Sequence, residues 1–319
     1  MLIPGTQRRT LAELDDRLDL AAGDRAAKRS AFWIMLTLAA VIAVAGICGN
    51  STATVIGAMI VAPLATPILG IGLGIATGRA GLVGRSVTVV ALGVVLVVAL
   101  GVVFAQVLPD APDVLTNSQV LGRTSPNLSD LAAALATGMV GAVAVARRDV
   151  GDVLPGVAIA ISLVPPLAVV GVCLGSGEPS LALGAFVLFL SNAVALVITA
   201  TVVLVSAGYA AEAGTGSGRR GAYVTLAVIL FLVAIPMVLN TLSSLWVKQI
   251  NDAAQHWLDG TPGAYVTGVT WNGDVATVSV LGPVDLPPVE ELQDAVDSLV
   301  PMDPGLRVVH TVGTRIETG

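Results

Sequence analysis

The chain has 319 residues, of which 55% are hydrophobic and 12% charged, and its net charge is -6. Soluble globular proteins carry roughly 25% charged residues, so half that share cannot coat a water-facing surface, and the chain is expected to be a membrane protein. Sixteen Lys and Arg against 22 Asp and Glu leave no basic footprint for nucleic acid.

Cys48 and Cys173 lie inside apolar runs, and His256 and His310 lie near the C-terminus. A disulfide framework, a metal centre and a membrane-embedded catalytic triad therefore lack their residues. No enzyme activity or cofactor is implied.

In chain order, residues 1–30 come first, a cytoplasmic amphipathic segment. Thr10 and Glu13 have capping-box spacing, and Leu11, Leu14 and Leu18 share one helical face. This helix is expected on the inner membrane surface or against the bundle, or as a solvated arm. Charge-free stretches follow at 31–78, 86–109, 131–146, 153–177, 179–211 and 221–247. A span takes roughly 20 residues, so the first stretch holds two, turning at Gly49-Asn50-Ser51. Helices are predicted at 31–49, 52–77, 84–107, 128–146, 153–174, 181–207 and 222–247.

Arg79 and Arg85 follow the second helix, Arg147 and Arg148 the fourth, and Arg219 and Arg220 precede the seventh. With seven spans, all of these share a side with the basic N-terminal segment, which makes the N-terminus cytoplasmic. Residues 248–319 carry three basic and ten acidic residues and form a different object, an extracytoplasmic domain. Alternating residues at 264–271 and 275–281 flank Asn272-Gly273, a hairpin signal. A helix over 289–300 and a strand over 306–312 complete a β-β-α-β domain.

The fold class is thus an all-α polytopic bundle of seven transmembrane helices with a small C-terminal α+β domain. Within the transmembrane domain, 31–247, the stretch from Ile56 to Ala65 aligns with Ile159 to Ala168 at a shift of 103. This lays helices one to three (31–107) on helices four to six (128–207), a 3+3 inverted repeat of the kind that secondary transporters use.

Pro63 and Pro67 interrupt helix two and Pro165-Pro166 helix five, each removing a backbone donor. Groups freed in lipid must face protein or a wet cavity, which puts both helices at the bundle centre. With Thr66 and Ser162 they form a candidate solute pathway, or else two proline kinks packed on their neighbours. Ser191 and Asn192 match this depth on helix six, and an Asn there serves the pathway or glues helices together. Asn50, at the outer corner, and Asp149 and Asp152, at the inner mouth, are candidate gates; the two aspartates could equally form an interfacial ion-pair cluster with Arg147 and Arg148. Gly70, Gly74 and Gly78 have close-packing spacing.

The stretches Ser51-Thr52-Ala53-Thr54-Val55-Ile56-Gly57-Ala58-Met59-Ile60-Val61-Ala62-Pro63-Leu64 and Leu154-Pro155-Gly156-Val157-Ala158-Ile159-Ala160-Ile161-Ser162-Leu163-Val164-Pro165-Pro166-Leu167 resemble the domain of unknown function 389 family, the uncharacterised hydrophobic domain proteins. The likeness covers about residues 30–175. It implies a bacterial inner-membrane protein and carries no substrate or site. The function expected from the residues is a transporter or channel for a small solute or ion, embedded in the bilayer as a homo-oligomer. The alternative is a scaffold or sensor acting through the C-terminal domain.

Overall fold

The computed structural model describes residues 3–4, 6–107, 114–150, 163–214, 219–272, 275–300 and 305–313. The chain divides into two units, Met1–Met237 and Val238–Gly319, with the division inside the helix predicted as the seventh span.

The first unit starts with α1 (Leu11–Leu18). Its capping box forms as expected: the Thr10 N–H donates to Glu13 Oε2 (2.6 Å) and the Glu13 N–H to Thr10 Oγ1 (3.3 Å). Leu14 and Leu18 are buried and α1 packs on the bundle, so of the three alternatives the protein takes docking. Next, α2 (Arg25–Cys48) is capped by Asp24 and ends at Gly49. Asn50 then turns the chain at φ 48°, a left-handed conformation that Asn tolerates better than other side chains.

The second predicted span is two helices, α3 (Thr52–Val61) and α4 (Ala65–Ala76), bent by 47°. The break has a covalent cause: Pro63 has no N–H to offer the Met59 carbonyl one turn earlier. Pro67 is not a second interruption. It sits in the first turn of α4, where its missing donor costs nothing.

After a three-residue turn comes α5 (Ala80–Val107), then the short α6 (Ser118–Thr124) and α7 (Leu128–Ala146). The first half of the fifth predicted span lies outside the described residues. Its second half is α8 (Val164–Gly175), in which Pro165 and Pro166 occupy the opening turn and start a helix. Then follow α9 (Pro179–Ser206), α10 (Tyr209–Glu212) and the 40-residue α11 (Arg219–Leu258), which contains the charge-free run 221–247.

Four described helices, α2, α5, α7 and α9, are long and apolar enough to cross a membrane, and the bent pair α3–α4 makes up to five. The short helices α4 and α8 are largely buried. By contrast α5 presents Leu92, Val95 and Val107 outward, Val107 at 73% exposure, a surface suited to lipid rather than water.

Two hairpins of matching length stand 99 positions apart: Ala65 and Val164 open α4 and α8, Ala80 and Pro179 open α5 and α9, and Val107 and Ser206 close them. The turns match as well, with Gly78 at φ 69° and Gly177 at φ 80°, and the Arg79 and Glu178 N–H groups donate to Gly74 O and Cys173 O, both at 2.8 Å. Alignment by sequence motif alone had given 103. The hairpins also cross: α4 packs on α9, and α8 on α5. A Cβ built at Gly72 would lie 2.6 Å from Ala200 Cβ and 3.3 Å from Val197 O, and one at Gly171 would lie 2.7 Å from Gly101 Cα and 2.4 Å from Val98 O.

In the second unit, β1 (Tyr265–Asn272) and β2 (Val275–Gly282) pair antiparallel, and β3 (Gly305–Val312) pairs parallel to β2, so β2 is the central strand. The parallel return runs through α12 (Val289–Leu299). These elements are the predicted hairpin, helix and strand. Ala276, Val278 and Val280 alternate inward from β2 onto Leu292 and Val296 of α12 and onto Ile250, Ala254 and Leu258 from the end of α11, forming a core separate from that of the first unit.

Candidate functional site

The site is built from a short helix pinned at both sides. Asn117 caps α6, its Oδ1 accepting the N–H groups of Gln119 (2.9 Å) and Val120 (3.2 Å), while its Nδ2 donates to Ile47 O at the end of α2 (2.8 Å). Asn50 accepts from Ser118 Oγ (2.8 Å), and Gln119 Nε2 donates to Thr52 Oγ1 (2.7 Å). On the opposite flank Gly184 of α9 lies so close that a Cβ there would come within 1.9 Å of Thr124 O. The α2–α3 corner and α9 thus hold α6, and Arg123 with it.

Arg123 borders a cavity of about 270 Å³, together with Met59, Asp130, Pro166, Leu188 and Asn192. At about 30 Å³ per water, this holds several waters or one small solute. Met59 is the residue whose carbonyl Pro63 leaves without a helical donor, and Pro166 lies in the opening turn of α8, so the bent α3–α4 pair and the start of α8 meet here.

The half-buried guanidinium donates Nη1 to Gln119 O (2.7 Å) and to Gln119 Oε1 (3.1 Å). Burial pushes its pKa down, because desolvation disfavours the charged form. Among the described residues no carboxylate lies within ion-pairing distance of it. Asp130, on the same wall, accepts from the Asn127 N–H (2.9 Å) as the carboxylate of the α7 capping box. The cavity therefore combines a cation satisfied by neutral oxygens with a carboxylate committed to its own helix.

The structure distributes the predicted pathway residues unevenly. Pro166 and Asn192 line this cavity, and Pro165 is buried beside Pro166. Ser191 is fully buried and donates to Leu188 O (2.8 Å). Pro63 and Thr66 stay at the α3–α4 break, joined by the Thr66 N–H to Pro63 O bond (3.1 Å). Pro67 borders a different cavity. Asn50 ties the corner to α6. Asp149 accepts from Arg147 Nε (2.8 Å); Ser162 and Asp152 lie outside the described residues.

Near α1, Arg148 reaches Glu13 (2.8 Å), Arg85 reaches Asp19 (2.7 Å), Arg79 reaches Asp15 (2.5 Å) and Arg8 reaches Glu212 (2.7 Å). Sequence reasoning missed Met59, Arg123 and Asp130. Arg123 did carry a signal, as the one basic residue between Arg85 and Arg147.

The family described as domain of unknown function (DUF389) matches residues 59–198, from α3 into α9. Over that stretch, less than half of its length, the chain is similar to this family. The DUF389 match begins later and runs further than the resemblance read from the two proline stretches, and it contains every residue named on the cavity wall. An uncharacterized protein of Methanocaldococcus jannaschii is 31% identical over 175 residues, 55% of this chain. The aligned part spans about half of that relative, 53% of its length. That organism is an archaeon, so the likeness does not by itself specify a bacterial membrane. No solved structure matches the chain.

Proposed function

We propose that this protein is a multi-pass transporter or channel for a small anion or polar solute, whose pathway passes the cavity at Pro166 and Asn192. The observation that carries this reading is the Arg123 guanidinium, half-buried, facing that cavity and bonded among the described residues only to Gln119. A half-buried cation that makes no ion pair keeps its donors for an anion from solution, and that would be the solute; Asp130 on the same cavity is held by its own helix.

In this reading seven helices span the membrane, with the apolar part of α11 as the seventh, and the hairpins α4–α5 and α8–α9 belong to inverted repeats. The 99-residue correspondence supports this, because Gly72 meets Val197 and Ala200 while Gly171 meets Val98 and Gly101. Contacts that map onto one another when the partners exchange are those of a two-fold axis. In each case the C-terminal part of the short helix meets the C-terminal half of the other hairpin's long helix, as in hairpins running oppositely across a membrane. Inverted repeats of this kind keep their sites where interrupted helices meet. The end where Arg79, Arg85 and Arg148 gather around α1 is then cytoplasmic, and the second unit extracytoplasmic.

The test is anion flux from liposomes that contain the full chain. Chloride and acetate efflux should fall at least tenfold with Arg123→Gln and Asn192→Ala. Wild-type efflux no faster than from protein-free liposomes, or efflux indifferent to both substitutions, would overturn the proposal.

The separate core of the second unit favours one rival, a sensor or scaffold working through that unit. Deleting residues 250–319 separates the two readings: a transporter keeps its flux and a sensor loses its response.

A further inference from the structure

A second cavity, of about 460 Å³, lies at the other end of the first unit, between the α1–α2 connection, α4 and α5. Its lining is chemically mixed. It includes Arg29 and Arg85, with Ser86 and Thr88; Asp19 is the carboxylate among the lining residues. Asp19 is already bound by Arg85 Nη2 (2.7 Å), whose side chain stays half exposed. Arg29 is exposed and has no hydrogen bond or ion pair among the described residues. Two cations against one anion leave one positive charge.

The apolar part of the lining lies one to two turns further along the same two helices, at Trp33 of α2 and at Val89 and Leu92 of α5. It runs without a step onto the bare surface of the same helices, where Ile34 is 56% exposed, Leu92 53% and Val95 64%. Arg29 stands immediately before the charge-free stretch from residue 31, and Arg85 immediately before the one from residue 86. Both cations thus mark the depth at which a membrane changes from headgroups to hydrocarbon, and Trp33 lies where amphipathic rings prefer to sit.

We propose that this cavity binds an anionic phospholipid of the adjoining leaflet. Its phosphodiester would lie against Arg29 and Arg85, since guanidinium matches phosphate with paired donors, and its glycerol oxygens near Ser86 and Thr88. Its chains would run along Trp33 and Leu92. The apolar part of the lining favours a lipid over free phosphate, because an inorganic ion gains nothing from Trp33 and Leu92. The volume is that of a small-molecule site. Because Pro67, in the first turn of α4, also lines the cavity, the bound lipid would join the α1–α2 connection, the broken span and α5.

The experiment is native mass spectrometry of the full chain, released from micelles containing equal amounts of phosphatidylglycerol and phosphatidylcholine. One phosphatidylglycerol per chain should be retained, at least tenfold over phosphatidylcholine, and Arg29→Gln and Arg85→Gln should each remove that preference. Arg29→Gln breaks no bond among the described residues, so in lipid-free detergent it should melt with the wild type; this separates lost binding from lost folding. Leu92→Ser should weaken lipid retention too. Equal retention of the two lipids, or retention unaffected by Arg29→Gln, would overturn the proposal. Displacement of the lipid by millimolar inorganic phosphate, with Leu92→Ser without effect, would overturn it in favour of a free-phosphate site.

Discussion

Arg123 and Glu13 hold charge in opposite ways. Arg123 is half-buried and forms an ion pair with no carboxylate among the described residues, so its donors are available to a ligand. Arg123→Lys should keep part of the anion selectivity and Arg123→Gln abolish it, as reversal potentials in planar bilayers would record. Glu13 is spent on structure: the Arg148 guanidinium first, and then the Thr10 N–H, hold its carboxyl at about 2 against an ordinary value of 4.5. A pKa lowered by folding contributes stability that is fully present above the ordinary value and lost as pH falls toward the folded one. Glu13→Gln should therefore melt below the wild type at pH 7, with the gap closing between pH 4.5 and about 2, measured by thermal unfolding in detergent. Pro166 and Asn192 were legible in the sequence because a proline or an amide inside an apolar run must be accommodated. Arg123 was not, because its direction depends on what holds α6, and that is a matter of Asn117, Asn50 and Gly184.

Between elements, glycines decide how closely helices cross. Gly171→Ala would place a methyl 2.4 Å from Val98 O, a backbone atom that cannot swing aside. It should destabilise the first unit by about 1–3 kcal/mol, the cost of overpacking, in unfolding titrations. Gly57 on α3 has nothing within 4 Å of such a methyl, so Gly57→Ala should stabilise by up to about 1 kcal/mol through helix propensity alone. Gly184→Ala should push α6 off α9 and cost flux as well as stability, because Arg123 moves with α6. The break at Pro63 was readable, since a missing N–H is a property of the residue. The roles of Pro67 and of Pro165-Pro166 were not, since a proline breaks a helix or begins one according to where the neighbouring turns settle.

At the level of the whole molecule, the two units have separate cores and should unfold separately. Leu292→Ala, at a fully buried position, should lower the second transition by about 2–5 kcal/mol and leave the first in place, as hydrogen exchange resolved by segment would show. The sequence alone determined what is local or compositional: the membrane character, set by too few charges; the apolar runs, set by where charges stop; and the β-β-α-β tail, set by alternation and an Asn-Gly turn. Only the tertiary structure decided that the hairpins correspond at 99 residues, that their glycines cross reciprocally, and that a distant arginine shares a cavity with Met59 and Pro166. Ala, Val, Leu and Gly recur so freely in such a chain that short motifs match by chance, whereas glycine contacts depend on where the backbones pack.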